Sequence, residues 1–433
     1  MQTMSSRSLI KARSIKALAT TLIALIACSN MAMTGGVGNN QAIMQQQPES
    51  ERPVKKVDDR LIAATSRFAF KLYDQVLKQR TTKNVFVSPA SVMLALAMTY
   101  NGAEGETRQA MAQALDIEHM SLDEVNRAFA DLRSILGTSE PKLQLKIANS
   151  LWANKKISLK PAFIQGSKES YAAEVTSLDF ANPAAPATIN SWVKRNTEDK
   201  IEKVVDRIEP NTILFLINAI YFKGQWKIKF EKEKTKEEGF RLAEGGQKKL
   251  PMMSQSGNYI HYKGKDFQAV TLPYGTGRIS MYVFLPDEHS TLDQFERNLT
   301  IENWETWMKG FRGAPGEVML PRFKIEYQVG LNDVLKALGM AEAFDPLRAN
   351  FSGMAELKTA GRPYISDVTH KTFAEVNEEG TEAAAVTTVT VQVTSVQRPQ
   401  EKFIMKVDRP FFFAIRDNLT GAVLFMGSVR DPG

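Results

Sequence analysis

Side chains able to do chemistry are few and scattered in this chain. Its 433 residues hold one cysteine, Cys28, and four histidines, His119, His261, His289 and His370. No two histidines have HExxH-type spacing, and a single thiol excludes a disulfide framework, a cysteine-based zinc ribbon and an iron–sulfur site. There is no GxSxG elbow and no Walker loop, and Gly35-Gly36-Val37-Gly38 follows no strand and opens no helix. The sequence therefore predicts no catalytic group, no metal and no cofactor. The formal charge of +7 does not point to nucleic acid, because Arg7, Lys11, Arg13 and Lys16 supply four of those charges within the first 27 residues and leave +3 for the rest.

One segment near the C-terminus has chemistry of another kind, that of a strand and a substrate. Residues 378–395 read EEGTEAAAVTTVTVQVTS. Small residues follow Gly380, and then a period of two sets in. Thr381, Ala383, Ala385, Thr387, Val389, Val391 and Val393 fall on one face, and Glu382, Ala384, Val386, Thr388, Thr390, Gln392 and Thr394 on the other. No Pro or Gly occurs from 381 to 398 to interrupt a ladder.

The elements that must position this segment are legible from Asp58 onward. Ala64, Phe68, Leu72 and Val76 are spaced as one helix face, and Val85-Phe86-Val87 reads as a short buried strand. Ser88-Pro89 looks like an N-cap with proline in the first turn, opening an apolar helix that runs to Tyr100 and ends at Asn101-Gly102 in a left-handed C-cap. Ser121 and Glu124 have capping-box spacing. Leu143–Ile147 alternates as a strand, Ile213–Phe222 is an apolar run expected of a strand covered on both faces, and Met281–Leu285 ends at Pro286. A helix is expected over Leu331–Met340, closed by Gly339. The alternating Lys and Glu of Lys227–Lys236 read as a solvated face. Helices dominate the first half and strands the second, which predicts an α+β fold with a large sheet.

Ahead of this domain lie two segments of different character. Residues 1–27 contain no acid, and the apolar run Ala17–Ala27 has 11 residues, too short for a bilayer span but fitting a secretory signal. It ends in Leu25-Ile26-Ala27-Cys28, which resembles a bacterial lipobox and places the one thiol for diacylglyceryl attachment. Residues 28–57 are rich in Gly, Asn and Gln and are expected to be a flexible tether, with an r.m.s. reach of about 30 Å. The expectation is export across the cytoplasmic membrane and lipid anchoring at the cell envelope through Cys28.

The hinge EEGTEAAAVT at 378–387 resembles that of the serpins, and the resemblance extends across residues 58–433. It is carried by NVFVSPASVMLALAMTYNGAEGETRQAM (84–111), NSWVKRNTEDKI (190–201), LINAIYFKGQW (216–226), LPRFKIEY (320–327), DVTHKTFAEVNEEGTEAAA (367–385) and DRPFFFAIRDNLTGAVLFMGSV (408–429), all in family order. The resemblance implies a monomer made of one domain, with about eight or nine helices around three sheets and an exposed reactive-centre loop near 378–400. It implies no enzyme but a suicide-substrate inhibitor. A target protease would acylate itself on the loop, which would then insert into the largest sheet and trap the acyl-enzyme. Fourteen inserted residues would span about 46 Å. At about 1 kcal/mol net each, some 14 new hydrogen bonds would rival the whole stability of many domains.

By the family's commonest spacing from Gly380, the scissile bond falls at Thr394–Ser395, with Val393 and Val396 as alternatives. A small or β-branched residue there suits an elastase-like or subtilisin-like serine protease, and cysteine proteases remain open. Glu378, Gly380, Thr381, Glu382, Ala383, Ala384 and Ala385 form the hinge by this resemblance. Ser88, Ser91, Asn218 and His370 match the cluster that controls sheet opening, and Trp226 matches the tryptophan at the insertion point. Arg322 and Glu378 match a pair bridging the loop's base to a neighbouring strand, worth little if exposed. The alternative is a non-inhibitory serpin acting as a surface binding protein; such members tend to carry charge or Pro in the hinge, whereas Thr381 and Ala383–Ala385 favour insertion. For the leader the test is direct: metabolic labelling with palmitate is expected to mark the protein and to be lost in Cys28→Ala.

Overall fold

The most apolar segments of the chain lie at its centre. All twelve residues of the helix Pro89–Tyr100 are buried, as expected of a helix that is hydrophobic on every side. Beside it runs the strand Leu214–Gln225, with all but two of its residues buried. The computed structural model describes residues 56–79, 83–137, 142–209, 212–356, 362–381 and 402–433. Val54–Gly433 form one compact unit, and among the described residues there are nine α-helices and three sheets, of nine, six and two strands.

The six-stranded sheet runs in the order Phe323–Gly330, Ile365–Asn377, Gly380–Thr381, Leu214–Gln225, Leu143–Asn154, Glu174–Leu178. Alternate residues of Leu214–Gln225 serve two cores. Leu214, Leu216, Ile220 and Phe222 join the main core, while Phe215, Ile217 and Ala219 pack with Ile189, Val204 and Val205 beyond the other face. The nine-stranded sheet orders Val85–Val87, Val423–Val429, Phe411–Asp417, Ile279–Pro286, Phe267–Pro273, Gln247–Lys263, Arg312–Pro321 and Phe403–Lys406, with Lys236–Arg241 also pairing to Gln247–Lys263. The third sheet pairs Ala355–Glu356 with Ser158–Leu159.

Local signals account for most element ends. Helix Asp59–Lys78 buries Ala64, Phe68, Leu72 and Val76, and Ser121 and Glu124 form a reciprocal capping box at Leu122–Leu136. Two expectations need correction. Asn101 is right-handed helical, with φ −60° and ψ −25°, so no left-handed cap closes the central helix. Gly102 is there for space: a Cβ on it would lie 2.5 Å from Met354 Cβ. The helix expected over Leu331–Met340 is regular only for Asn332–Leu335; it widens over Lys336–Met340, where Gly339 has φ +106°.

Candidate functional site

The site lies along the line where Leu214–Gln225 meets Ile365–Asn377. These strands pair in parallel from Leu214 opposite Ile365 to Tyr221 opposite Phe373. Beyond that they part. The chain reverses at Glu378-Glu379 and sends Gly380–Thr381 back between them, Thr381 pairing with Val376 on one side and Gly224 on the other. The sheet is thus closed along most of this seam and filled at one end by the first two residues of the segment that follows.

A buried polar cluster crosses the closed part. His370 stands directly opposite Asn218, with 2.6 Å between His370 Nδ1 and Asn218 Oδ1. The Ser88 N–H donates to His370 Nε2 at 3.0 Å. An accepting Nε2 makes His370 the neutral Nδ1–H tautomer, donating to Asn218. The Asn218 amide donates to Ser91 O (3.0 Å), Ser91 Oγ and Asn149 Oδ1 (2.5 Å), and Ser88 Oγ donates to Leu424 O at 2.6 Å. Ser88, Ser91, Asn218 and His370 are therefore brought together, tying the start of the central helix to both strands. Asn149 completes the cluster; nothing in its sequence context singled it out. Burial drives the His370 pKa down to about 3, with the contact to Asn218 opposing.

The reversal is held by its carbonyls. The Trp226 indole N–H donates to Asn377 O at 2.9 Å, the Phe230 N–H to Glu378 O at 3.0 Å and the Trp226 N–H to Glu379 O at 2.9 Å. Trp226 itself stacks on Tyr274 with ring centres 4.4 Å apart, and Tyr274 Oη lies 2.7 Å from Thr381 Oγ1, which fixes Thr381 facing the main core. Gly380 has φ +148°, and a Cβ on it would stand 2.0 Å from Gly224 O, so no other residue fits this slot.

The expected Arg322–Glu378 pair is present, and one expectation about charge is overturned here. Glu378 is only 2% exposed, so its pair with Arg322 joins a buried carboxylate to a guanidinium that still reaches solvent. Arg322 Nε donates to both carboxylate oxygens at 2.8 and 2.9 Å and Arg322 Nη2 to Oε1 at 2.5 Å, and Thr235 Oγ1 adds a fourth bond at 2.6 Å. Burial pushes the Glu378 carboxyl up, but hydrogen bonds from Arg322 and Thr235 outweigh it and hold it below the usual carboxylate range. Lys227–Lys236 is not simply a solvated face: Lys229 and Lys232 both pair with Glu379, and Thr235 binds Glu378. Thr235 and Tyr274 were missed because an alternating charge pattern hid one and no periodicity marked the other. Cys28, Glu382, Ala383, Ala384, Ala385, Val393, Thr394, Ser395 and Val396 lie outside the described residues. No group of three or more potential metal ligands occurs among the described residues.

An α+β fold with sheets of nine, six and two strands, whose chain turns back at Gly380–Thr381 between two strands of the six-stranded sheet, defines the class. Residues 63–432 match the family model for Serpin (serine protease inhibitor). The leukocyte elastase inhibitor of Homo sapiens is 35% identical over 386 residues, covering 86% of this chain and 100% of that protein. A serpin-like protein of Thermococcus kodakarensis is 36% identical over 86% of each chain. The crystal structure of the thermophilic serpin Tengpin in the native state aligns with TM-score 0.80 and 33% identity, over 87% of this chain and 95% of that one. Thyroxine-binding globulin in complex with thyroxine aligns with TM-score 0.77 and 28% identity, over 86% and 99%. The chain belongs to the serpins, a family of protease inhibitors and not of enzymes.

The seam is expected to weaken in mild acid. Folded His370 takes up a proton only near pH 3, whereas an unfolded histidine does so near 6.5. Its contribution is therefore complete above 6.5 and falls by about 1.4 kcal/mol for each pH unit below that. Glu378 adds a loss of the same sign, but only below its ordinary value of 4.5. Unfolding measured between pH 6.5 and 5 should thus show a slope that His370→Gln flattens; an unchanged slope would place the titration elsewhere. Gly380→Ala should cost about 1–3 kcal/mol by unseating Thr381, read as a lower denaturation midpoint that Thr381→Ala does not reproduce in full.

Proposed function

We propose that this protein is a suicide-substrate inhibitor of endopeptidases, with serine proteases of elastase-like or subtilisin-like preference as targets, anchored at the cell envelope through lipidated Cys28. The observation that carries the reading is the seam: Gly380–Thr381 already occupies its open end, and the sequence beyond continues in strict strand alternation.

The register supports the proposal quantitatively. Thr381 lies opposite Val376 and Gly224, so each further inserted residue would step one position back along both neighbours. Thr387 would arrive between His370 and Asn218, on the same face as Thr381 and so toward the main core. Its hydroxyl could then replace part of the cluster that its entry breaks. Val391 would come level with Leu214, where that flanking strand begins. A cut at Thr394–Ser395 frees a segment long enough to fill the slot, and a cut much before Val391 does not. Insertion would exchange one parallel ladder for two antiparallel ones, a gain on the order of 10 hydrogen bonds and thus about 10 kcal/mol.

The chemistry belongs to the protease. Its nucleophile would add to the Thr394 carbonyl carbon, the Thr394–Ser395 bond would break, and Ser395 would leave as an amine protonated by the protease's general acid. The Thr394 acyl group would stay on the enzyme while residues 382–394 entered the sheet. Dragging the enzyme along would disturb its oxyanion hole and stall deacylation. Incubation with elastase-like, subtilisin-like, trypsin-like and cysteine proteases should give an SDS-resistant covalent band with at least one of them, and a released C-terminal fragment beginning at Ser395. Protein nicked between 393 and 396 should melt roughly 10 °C or more above the intact form. Equal midpoints, with no covalent band, would overturn the reading.

A further inference from the structure

We propose that the groove between the bend at 264–266 and the helices Leu292–Arg297 and Ile301–Gly310 is a binding site for a neutral oligosaccharide. The amides of Gln294, Asn298 and Asn303 would hold the sugar over an aromatic floor that includes Trp307. No residue of the seam takes part, so the proposal stands apart from the inhibitor reading.

The floor is made where two strands turn under two helices. Tyr262 lies near the end of Gln247–Lys263, and Phe267 begins Phe267–Pro273. The bend between them is tight: the Gly264 N–H donates to Phe267 O at 2.9 Å, and a Cβ on Gly264 would stand 2.5 Å from the Phe267 ring. Phe267 thereby meets Trp307 with ring centres 4.8 Å apart, Phe295 at 5.1 Å and Tyr262 at 5.7 Å. Phe267, Phe295 and Trp307 are buried and Tyr262 half-buried. All four line a groove of about 680 Å³, within the roughly 300–1,000 Å³ of small-ligand sites.

The wall is a row of amides that the fold has already oriented. Gln294 Oε1 accepts from the Thr291 N–H at 3.0 Å and from Ser290 Oγ at 3.1 Å. Asn298 Nδ2 donates to Gln294 O at 2.9 Å, and Asn303 Nδ2 to Asn298 O at 2.7 Å. Each amide commits one atom to these helix ends. The other atom, Gln294 Nε2, Asn298 Oδ1 or Asn303 Oδ1, has no partner among the described residues. The Trp307 indole N–H and the Tyr262 hydroxyl also lack one, although Trp307 is only 8% exposed. Polar groups this deep are normally paired, and here the unpaired ones line one concavity. Lys265 and Asp266 at the rim are opposite in sign, so the groove favours neither an anion nor a cation. A pyranose fits this inventory. The C–H groups of its face pack on aromatic carbon, and the hydroxyls around its edge both donate and accept. A purely aromatic ligand would instead leave most of these polar atoms desolvated and unpaired.

The full chain should be titrated calorimetrically with maltohexaose, cellohexaose, chitohexaose and mannohexaose, and with hyaluronan hexasaccharide and 2-naphthol as anionic and aromatic counterparts. At least one neutral sugar should bind with a Kd of about 1 mM or tighter. Asn298→Ala and Asn303→Ala should each weaken that binding about tenfold. Asp266→Trp should weaken it at least as much by filling the groove; it changes an exposed rim residue, so it decides the matter if the asparagine variants lower the thermal midpoint. Leu347→Thr, on an exposed segment elsewhere, should leave the affinity unchanged. No binding of any neutral sugar at about 5 mM would overturn the site, and so would affinities within about twofold of the parent in every folded test variant. Tighter binding of hyaluronan or 2-naphthol than of all four neutral sugars would overturn the assignment of the ligand class.

Discussion

The proposed insertion depends on the parallel contact between Leu214–Gln225 and Ile365–Asn377, which would have to be hard to open and yet replaceable by a new strand. Its centre is polar where most of the surrounding core is apolar. A seam closed only by aliphatic side chains would be held by undirected contacts that a new strand could re-form as it entered. His370 and Asn218 instead place a directed hydrogen bond between the strands, buried and shared with Ser88, Ser91 and Asn149. Parting them strands several buried donors and acceptors, each costing about 1–3 kcal/mol while unsatisfied. Such a cost raises the barrier to opening, and the proposed insertion needs that barrier, since it would separate kinetic from thermodynamic stability.

The reversal at 377–380 is the other half of this arrangement. Three successive carbonyls are fixed by Trp226 and Phe230, and two successive carboxylates by Arg322, Thr235, Lys229 and Lys232. Turning a chain back into a sheet is the entropically expensive first step of adding a strand. Here that step is complete in the intact protein. Under the proposed insertion each later residue would need only to follow Thr381, whose contact with Tyr274 sets which face turns inward.

Features governed by neighbours in sequence were legible before the structure was known. The capping box at Ser121, the all-apolar helix from Pro89 and the buried strand from Leu214 follow from composition and spacing. Which residues crowd the seam did not follow from spacing; family resemblance supplied His370, Asn218, Ser88 and Ser91, which lie far apart in the chain. Long-range complementarity stayed hidden even then. Gly102 reads locally as a helix stop, but its reason is Met354; Thr235 reads as one polar residue among charges, but its hydroxyl meets Glu378. The Arg322–Glu378 pair was legible as a pair, but the burial of its carboxylate was not, because burial depends on what the rest of the chain lays over it.

The cover over the seam adds a constraint that the alternation alone does not convey. Ile201, Val204, Val205 and Ile208 are buried against the face carrying Phe215, Ile217, Ala219 and Phe373. Lys371 donates to Lys203 O at 2.7 Å and Gln328 to Val204 O at 3.1 Å, holding this segment down. A strand continuing from Thr381 would turn Ala384, Val386 and Thr388 toward that cover and Ala383, Ala385 and Thr387 toward the main core. The small side chains therefore matter on both faces: one must enter a core that is already packed, the other must pass beneath a segment that already fits a closed sheet. Larger side chains at either set would have to push layers apart before gaining a single new hydrogen bond. If the proposed insertion takes place, the composition of the hinge is the sequence counterpart of a sheet that opens by the width of one strand and no more.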